Sequence, residues 1–349
     1  MLRPLFASAL LLLGACKNDE ADKTQSKTEA KAEVEPAAKD EPPAPSEAGE
    51  QSDDEPSVEP RRGKGLTGAI GEVVGGVEPS KHALLIPDGA TVLLGIDLSA
   101  VVSHPLLPIL ESRLRSRQRE QLRAAKACGV GLSQGKTFVI GMDLMTRNVA
   151  MVVEAKGLGT RKTLQCMAKE IGNFTLSEDG KTLSDHTGGG IVLDDDAVAF
   201  ASPAWMDPLR ERIAGKGKAA VEGSAREAFA RAKPSRPLWL AGEIPAYLGA
   251  MAAGVLGAQP SMVLVDAKLG ETVDVEVAVQ VPDPAATQRG LQEKWNALRG
   301  FAVSSGVPRT VSESLKISND DEMVRIEVQA TPDEIDQLLR TAEGGSRGF

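Results

Sequence analysis

Three aspartates stand in a row at Asp194, Asp195 and Asp196, and carboxylates so placed are raw material for a cation site. Consecutive side chains cannot all turn toward one ion, and the glycine and distal glutamate of an EF-hand loop are absent. The run reads as a solvated turn between two short strands. The histidines, His82, His104 and His186, are far apart and show neither an H-E-x-x-H helix nor a Cys/His zinc pattern. His186, followed by Thr187 and three glycines, is the best single candidate for an exposed polar site, although an ordinary loop histidine accounts for it as well. No G-x-S-x-G elbow marks a serine nucleophile. Ser224 opens what reads as a helix, where capping is role enough. The basic run Arg113, Arg115, Arg117, Arg119, Arg123 and Lys126 would attract phosphate groups, but interleaved Glu111, Gln118 and Glu120 make it a solvated helix face. No metal or cofactor is expected, and the chain leans away from catalysis.

Glycines at 65, 68, 71, 75 and 76 are spaced G-x-x-G, which is not the dinucleotide fingerprint. Cys128 and Cys166 are too far apart for a redox C-x-x-C pair. In an exported protein two such cysteines suggest a bridge. Periodicity gives mixed advice. Cys128 continues the stripe Leu107, Leu110, Leu114, Ala125, whereas Cys166 lies opposite Leu164, Met167, Ala168 and Ile171.

Composition divides the chain. Residues 1–15 read as a signal peptide: Arg3 precedes an apolar run from Leu5 to Ala15 that is too short to span a membrane. Residues 16–62 are an acidic tether, predicted disordered because Ala, Glu, Pro, Lys and Ser offer too little apolar surface to offset the entropy of ordering. From Lys17 to Pro60 it holds 14 acidic residues against five lysines, while residues 61–349 hold 35 acidic against 34 basic. The charge of −9 therefore belongs to the tether. The near-neutral body gives no reason to expect nucleic acid. Aromatic residues make up 3% of the chain, which also disfavours stacking platforms for sugars or single strands. A Gly-rich hinge follows at 63–79, and a short tail closes the chain at 343–349.

The body is expected to be α+β, a mostly antiparallel sheet with helices on one face. Val273, Val275, Val277, Val279 and Val281 alternate with Asp274, Glu276, Ala278 and Gln280, a period of two with one buried side and one wet side. Its elements run in two tandem repeats, 80–233 and 234–342, of a strand-helix-strand-strand-helix-strand-strand-helix unit. In the first, a strand at 91–96 leads to a helix at 105–127, strands at 137–142 and 148–155, a helix at 160–171, strands near 174–176, 190–193 and 197–201, and a helix at 203–214. In the second, a strand at 238–242 is followed by a helix at 245–256, strands at 262–268 and 272–281, a helix at 284–298, strands at 312–317 and 323–329, and a helix at 332–342. Thr331-Pro332-Asp333-Glu334 has the form of a capping box, and Asp283-Pro284 opens its helix similarly.

Leu13-Gly14-Ala15-Cys16 resembles the lipobox of bacterial lipoproteins. The resemblance implies cleavage before Cys16, acylation of that cysteine and a membrane anchor through the N-terminal lipid. Lys17 is not the aspartate that retains such proteins at the inner membrane, so an outer-membrane location is implied, on the periplasmic face or the cell surface. The body is similar only loosely, through composition and architecture, to uncharacterised envelope lipoproteins of GC-rich Gram-negative bacteria. The function expected is a non-catalytic envelope lipoprotein that presents its duplicated module to an unknown envelope protein or lipid. Two other readings stay open: a hydrolase or transferase where His186 and the Asp194–Asp196 turn converge at the repeat seam, and a lipid carrier.

Overall fold

The computed structural model describes residues 81–344, apart from 115, 173, 186 and 187. Twelve strands form one sheet in the order β11-β12-β10-β9-β8-β1-β2-β3-β7-β6-β5-β4, with every neighbouring pair antiparallel. The first half supplies β1 (Val92–Asp97), β2 (Gly135–Met142), β3 (Val149–Ala155), β4 (Thr175–Leu176), β5 (Thr182–Asp185), β6 (Gly188–Val192) and β7 (Ala197–Ala201). The second supplies β8 (Leu238–Glu243), β9 (Met262–Leu269), β10 (Val273–Gln280), β11 (Lys316–Asn319) and β12 (Met323–Ala330).

The two halves follow one plan. In each, a first strand pairs with a second, the second with a third, and a helix then carries the chain to a meander whose last strand lies beside the third: β1-β2-β3-β7-β6 matches β8-β9-β10-β12-β11. The leaves meet where β1 pairs β8, with Leu94 opposite Leu240. An antiparallel pair has local two-fold symmetry, so the seam relates the halves as a symmetric dimer would be related.

Ten α-helices among the described residues complete the fold: α1 (Leu98–Val102), α2 (Leu106–Arg113), α3 (Ser116–Ala127), α4 (Arg161–Ile171), α5 (Met206–Ile213), α6 (Arg226–Arg231), α7 (Ala246–Leu256), α8 (Pro284–Ser304), α9 (Arg309–Ser314) and α10 (Pro332–Gly344). The single helix expected at 105–127 is two, α2 and α3, and a further short helix, α1, precedes them. Asp97 accepts a hydrogen bond from the Ala100 amide and so starts α1 directly at the end of β1, and Pro105 then opens α2. The strand expected at 312–317 begins as helix, because α9 buries Val311 and Ser312, Val311 packing with Val328 and Ala330 of β12, and the strand starts only at Lys316. Thr182–Asp185 is a strand that the sequence pattern did not disclose. Thr331 and Glu334 form the reciprocal capping box, the Glu334 amide donating to Thr331 Oγ1 and the Thr331 amide to Glu334.

Cross-strand partners share a face, so register sorts the core. On one face, α4 covers Val153, Val192 and Val198, α2 and α10 cover Ala267, Val273 and Val275, and α7 and α8 cover Val279, Val281 and Val324. The other face carries Leu93, Val139, Val152 and Ala199 beneath α5, short 3₁₀ turns and α6. Most helices thus lie on one side, with α5 and α6 capping the centre of the other. Beyond α6 that side is held by charge. Lys233 reaches Asp266 at 3.2 Å and also Glu276, Arg236 reaches Asp266 at 3.5 Å, and Arg325 joins Glu276 to Asp320. Burial opposes the charge on Glu276, but Lys233 and Arg325 together hold its carboxyl below the usual range.

Candidate binding surface

Helix α7, Ala246-Tyr-Leu-Gly-Ala-Met-Ala-Ala-Gly-Val-Leu256, contains no charged residue. A helix that is apolar all round belongs in a core. This one is covered on one side only. Leu256 packs with the β10 and β12 core, and Gly249 is pressed so close to the following loop that a Cβ there would fall 2.7 Å from the Pro260 carbonyl oxygen. The ends are fixed: Gly257, at φ +78°, closes the helix, and Lys294 of α8 donates to the Val255 carbonyl at 2.9 Å. The opposite side, with Ala246, Tyr247, Ala250, Met251, Gly254 and Val255, faces solvent.

The exposure is substantial. Met251 is 75% exposed and Tyr247 48%, the tyrosine hydroxyl donating to the Leu144 carbonyl beside Met145, which is itself 64% exposed. Along α8, one and two turns past Lys294, Leu298 and Phe301 are exposed as well, Phe301 by 71%. Polarizable methionine and aromatic side chains on an open face are typical of surfaces that accept apolar partners. The helices in the corresponding place of the first repeat, α1 to α3, end in the polar sequence Ser116-Arg-Gln-Arg-Glu-Gln-Leu-Arg, so the apolar face is not demanded by the shared plan. It escaped the sequence reading, which gave 245–256 as a helix without asking where its polar side was. The missing polar stripe was the available signal.

The other residues singled out from sequence hold structure together. Asp194 accepts from the Asp196 amide, Asp195 accepts the Gly159 amide through its carbonyl, and Asp196 accepts the Gly157 amide while pairing with Lys136 at 2.7 Å. The Gly157 amide and Lys136 keep the Asp196 carboxyl below the ordinary range. The three thus lash the β6–β7 turn to the 157–159 loop. Among the described residues no group of three or more His, Cys, Asp or Glu could hold a metal ion. Ser224 caps no helix. It accepts the Gly89 amide and donates to the Ala90 carbonyl, tying the 88–90 loop to the start of α6. His104 accepts the Leu106 amide at Nδ1 and donates from Nε2 to the Gly270 carbonyl at 2.8 Å. His82 is buried, with Nε2 2.6 Å from Glu154. His186 and Cys16 lie outside the described residues, as do the signal, the tether, the hinge and residues 345–349.

Cys128 and Cys166 form a disulfide with Cα atoms 5.6 Å apart. Cys128 follows the last turn of α3 and points at the flank of α4, which brings the two helices side by side. An open cleft of about 430 Å³ lies between α2 and α10, lined by Pro108, Ile109, Ser112, Arg113, Asp336 and Arg340. Arg113 and Arg340 both donate to Asp336, whose charge they share.

No family model matches the sequence, and no curated protein does. Solved structures of TP0453 do resemble the fold. Crystal form III superposes with a TM-score of 0.51 at 8% identity, over 75% of this chain and 98% of that one, and crystal form I with a TM-score of 0.48 over 74% and 96%. At such identity the likeness to form III is one of fold alone.

Proposed function

We propose that this chain is a membrane-anchored envelope lipoprotein, acylated at Cys16 and placed at the outer membrane, which works without catalysis by presenting its duplicated α+β body to a partner. The open side of α7 carries this reading. Leaving Tyr247, Met251 and Val255 partly in water forgoes about 0.5–2 kcal/mol for each side chain that a partner would finish burying. Neither the seam nor the other repeat requires that arrangement. The partner is an envelope protein or lipid with an apolar contact surface of its own.

The hydrolase reading is weakened by the structural duties of the Asp194 and Asp196 carboxylates, which accept the Asp196 and Gly157 amides and pair with Lys136. A photo-reactive residue at position 251 of the tethered protein in intact cells tests the proposal. One discrete protein or lipid adduct is expected there and none at Lys316, on the edge strand β11. Equal, diffuse labelling at both positions would remove α7 as the docking surface.

A further inference from the structure

Among the described residues only two methionines, Met145 and Met251, are exposed, by 64% and 75%. Met262 and Met323 are 2% exposed, and Met142, Met151, Met167 and Met206 are half-buried. Both open thioethers belong to one surface. Met251 stands in the middle of the stripe Tyr247, Met251, Val255, which runs along α7 with one residue per turn. Met145 stands in the β2–β3 turn, whose shape Asp143 fixes by accepting the Met145 amide at 2.8 Å and the Thr146 hydroxyl. The Tyr247 hydroxyl, donating to the Leu144 carbonyl at 3.4 Å, ties that turn to the first turn of α7.

Thiolates react with oxidants ahead of thioethers, but the cysteines of the body are already spent: Cys128 and Cys166 are joined, a kind of bond that persists in oxidising compartments. Met145 and Met251 are thus the accessible oxidisable sulfurs of the described residues, and both lie where an apolar partner would sit.

We propose that Met145 and Met251 are a reversible oxidation site that switches this surface off. The switch rests on the reading of α7 as a docking surface. The oxidant is a hydroperoxide, either hydrogen peroxide or an alkyl hydroperoxide. A sulfur lone pair attacks the outer peroxide oxygen, an S–O bond forms as the O–O bond breaks, and water or an alcohol leaves with the proton. Sulfur gives up two electrons and the peroxide takes them. A dithiol reductase reverses the step, releasing the oxygen as water while its two thiols close to a disulfide. The sulfoxide oxygen is a strong hydrogen-bond acceptor, and in the free protein water satisfies it. Beneath an apolar partner it has no donor, because α7 carries no charged residue and its single hydroxyl, on Tyr247, already donates to the Leu144 carbonyl. Oxidation therefore lowers affinity while leaving the fold as it was.

Hydrogen peroxide treatment of the chain carrying Cys16→Ser, followed by peptide mass spectrometry, tests the site. Met145 and Met251 should each gain one oxygen about tenfold sooner than Met262 and Met323, with an unchanged melting curve. Nile red, an uncharged apolar dye, should then bind about tenfold more weakly, and a methionine sulfoxide reductase with dithiol should restore it. In the double variant Met145→Leu, Met251→Leu, peroxide should leave whatever dye affinity the variant has unaltered. A photo-reactive residue in place of Val255 in the tethered protein in intact cells reads the partner itself, and its adduct should disappear after peroxide and return on reduction. Oxidation spread evenly over the buried methionines, or a peroxide effect shared by the double variant, would overturn the proposal. An adduct at 255 that persists with both sulfoxides present also overturns it, while leaving α7 as the docking surface. Absence of both adduct and dye binding in the reduced protein removes the docking surface and the switch together.

Discussion

Gly95 lies at the seam of the two halves, opposite Trp239, and a methyl group there should be costly. An ideal Cβ on Gly95 would stand 2.2 Å from Trp239 Cε2 and 2.3 Å from Nε1, where carbon contacts settle near 3.5–4.0 Å. The indole is 4% exposed and meets Phe229 edge to face at 5.5 Å, so it has nowhere to move without leaving that pair. Overpacking costs about 1–3 kcal/mol and the lost aromatic geometry about 0.5–1.5, offset by roughly 0.5–1 from the reduced freedom of the unfolded chain. Gly95→Ala should therefore destabilise the body by about 2–3 kcal/mol, a balance of the same three contributions. Denaturant unfolding monitored by near-ultraviolet circular dichroism and tryptophan fluorescence measures it. In a Trp239→Leu background the indole is absent, and the same substitution should cost under about 0.5 kcal/mol, leaving most of the effect as coupling energy in the double-mutant cycle. A cost below about 1 kcal/mol in the wild type, with an unchanged tryptophan spectrum, would mean that β1 and β8 do not pair in this register. The symmetric seam would then be wrong.

Replacing Cys128 and Cys166 by alanine should lower stability by about 4 kcal/mol in the loop-entropy model for the 38-residue separation, and hydrogen exchange should quicken first in 116–127, whose described side chains include none that is buried; an unaltered melting temperature would show that the bridge constrains nothing. Glu276 titrates below its ordinary value in the folded chain, so its contribution is complete above the unfolded carboxylate pKa and disappears as pH falls through the folded one; Glu276→Gln should flatten the pH dependence of stability below about 4.5, and an unchanged acid slope would refute the role of the Lys233–Glu276–Arg325 bridge. An alkyne fatty acid fed to cells should label the wild type and not Cys16→Ser, and absence of label on both would remove the lipid anchor. A chain beginning at Lys64 should melt as the full mature chain does, because the 16–62 stretch offers little apolar surface to bury; a drop of several degrees would show that it contributes to folding.

The strands legible in the sequence were those whose side chains sample two unlike environments. Val273 to Val281 alternate because one face of β10 meets α7 and α8 while the other carries Asp274 and Glu276. Helix starts were legible where a side chain satisfies the first amides, as at Thr160, Asp283 and Thr331. Boundaries set by distant packing were not. Nothing local separates Val311 from a strand residue, and its helix exists because β12 offers a place to bury it. The four-residue β5 is too short for a periodic signal, and Ser224 was misplaced because its partners, Gly89 and Ala90, lie more than 130 residues away. Periodicity also treats any apolar helix as satisfied, which is why the open side of α7 became visible only once its neighbours were in place.

The β1–β8 ladder has a consequence for how the chain is made. Leu94 and Leu240 are on the order of 150 residues apart, yet their pairing closes the middle of the sheet. Until β8 arrives, β1 is an edge with bare amides and carbonyls beside Leu93 and Leu94, an open template for any other extended chain. A chain delivered N-terminus first exposes that template until the first strand of its second half emerges. Protection from aggregation is therefore needed most in the interval between emergence of β1 and emergence of β8, and a stalled or truncated product ending before Leu238 should be the most aggregation-prone form of this protein.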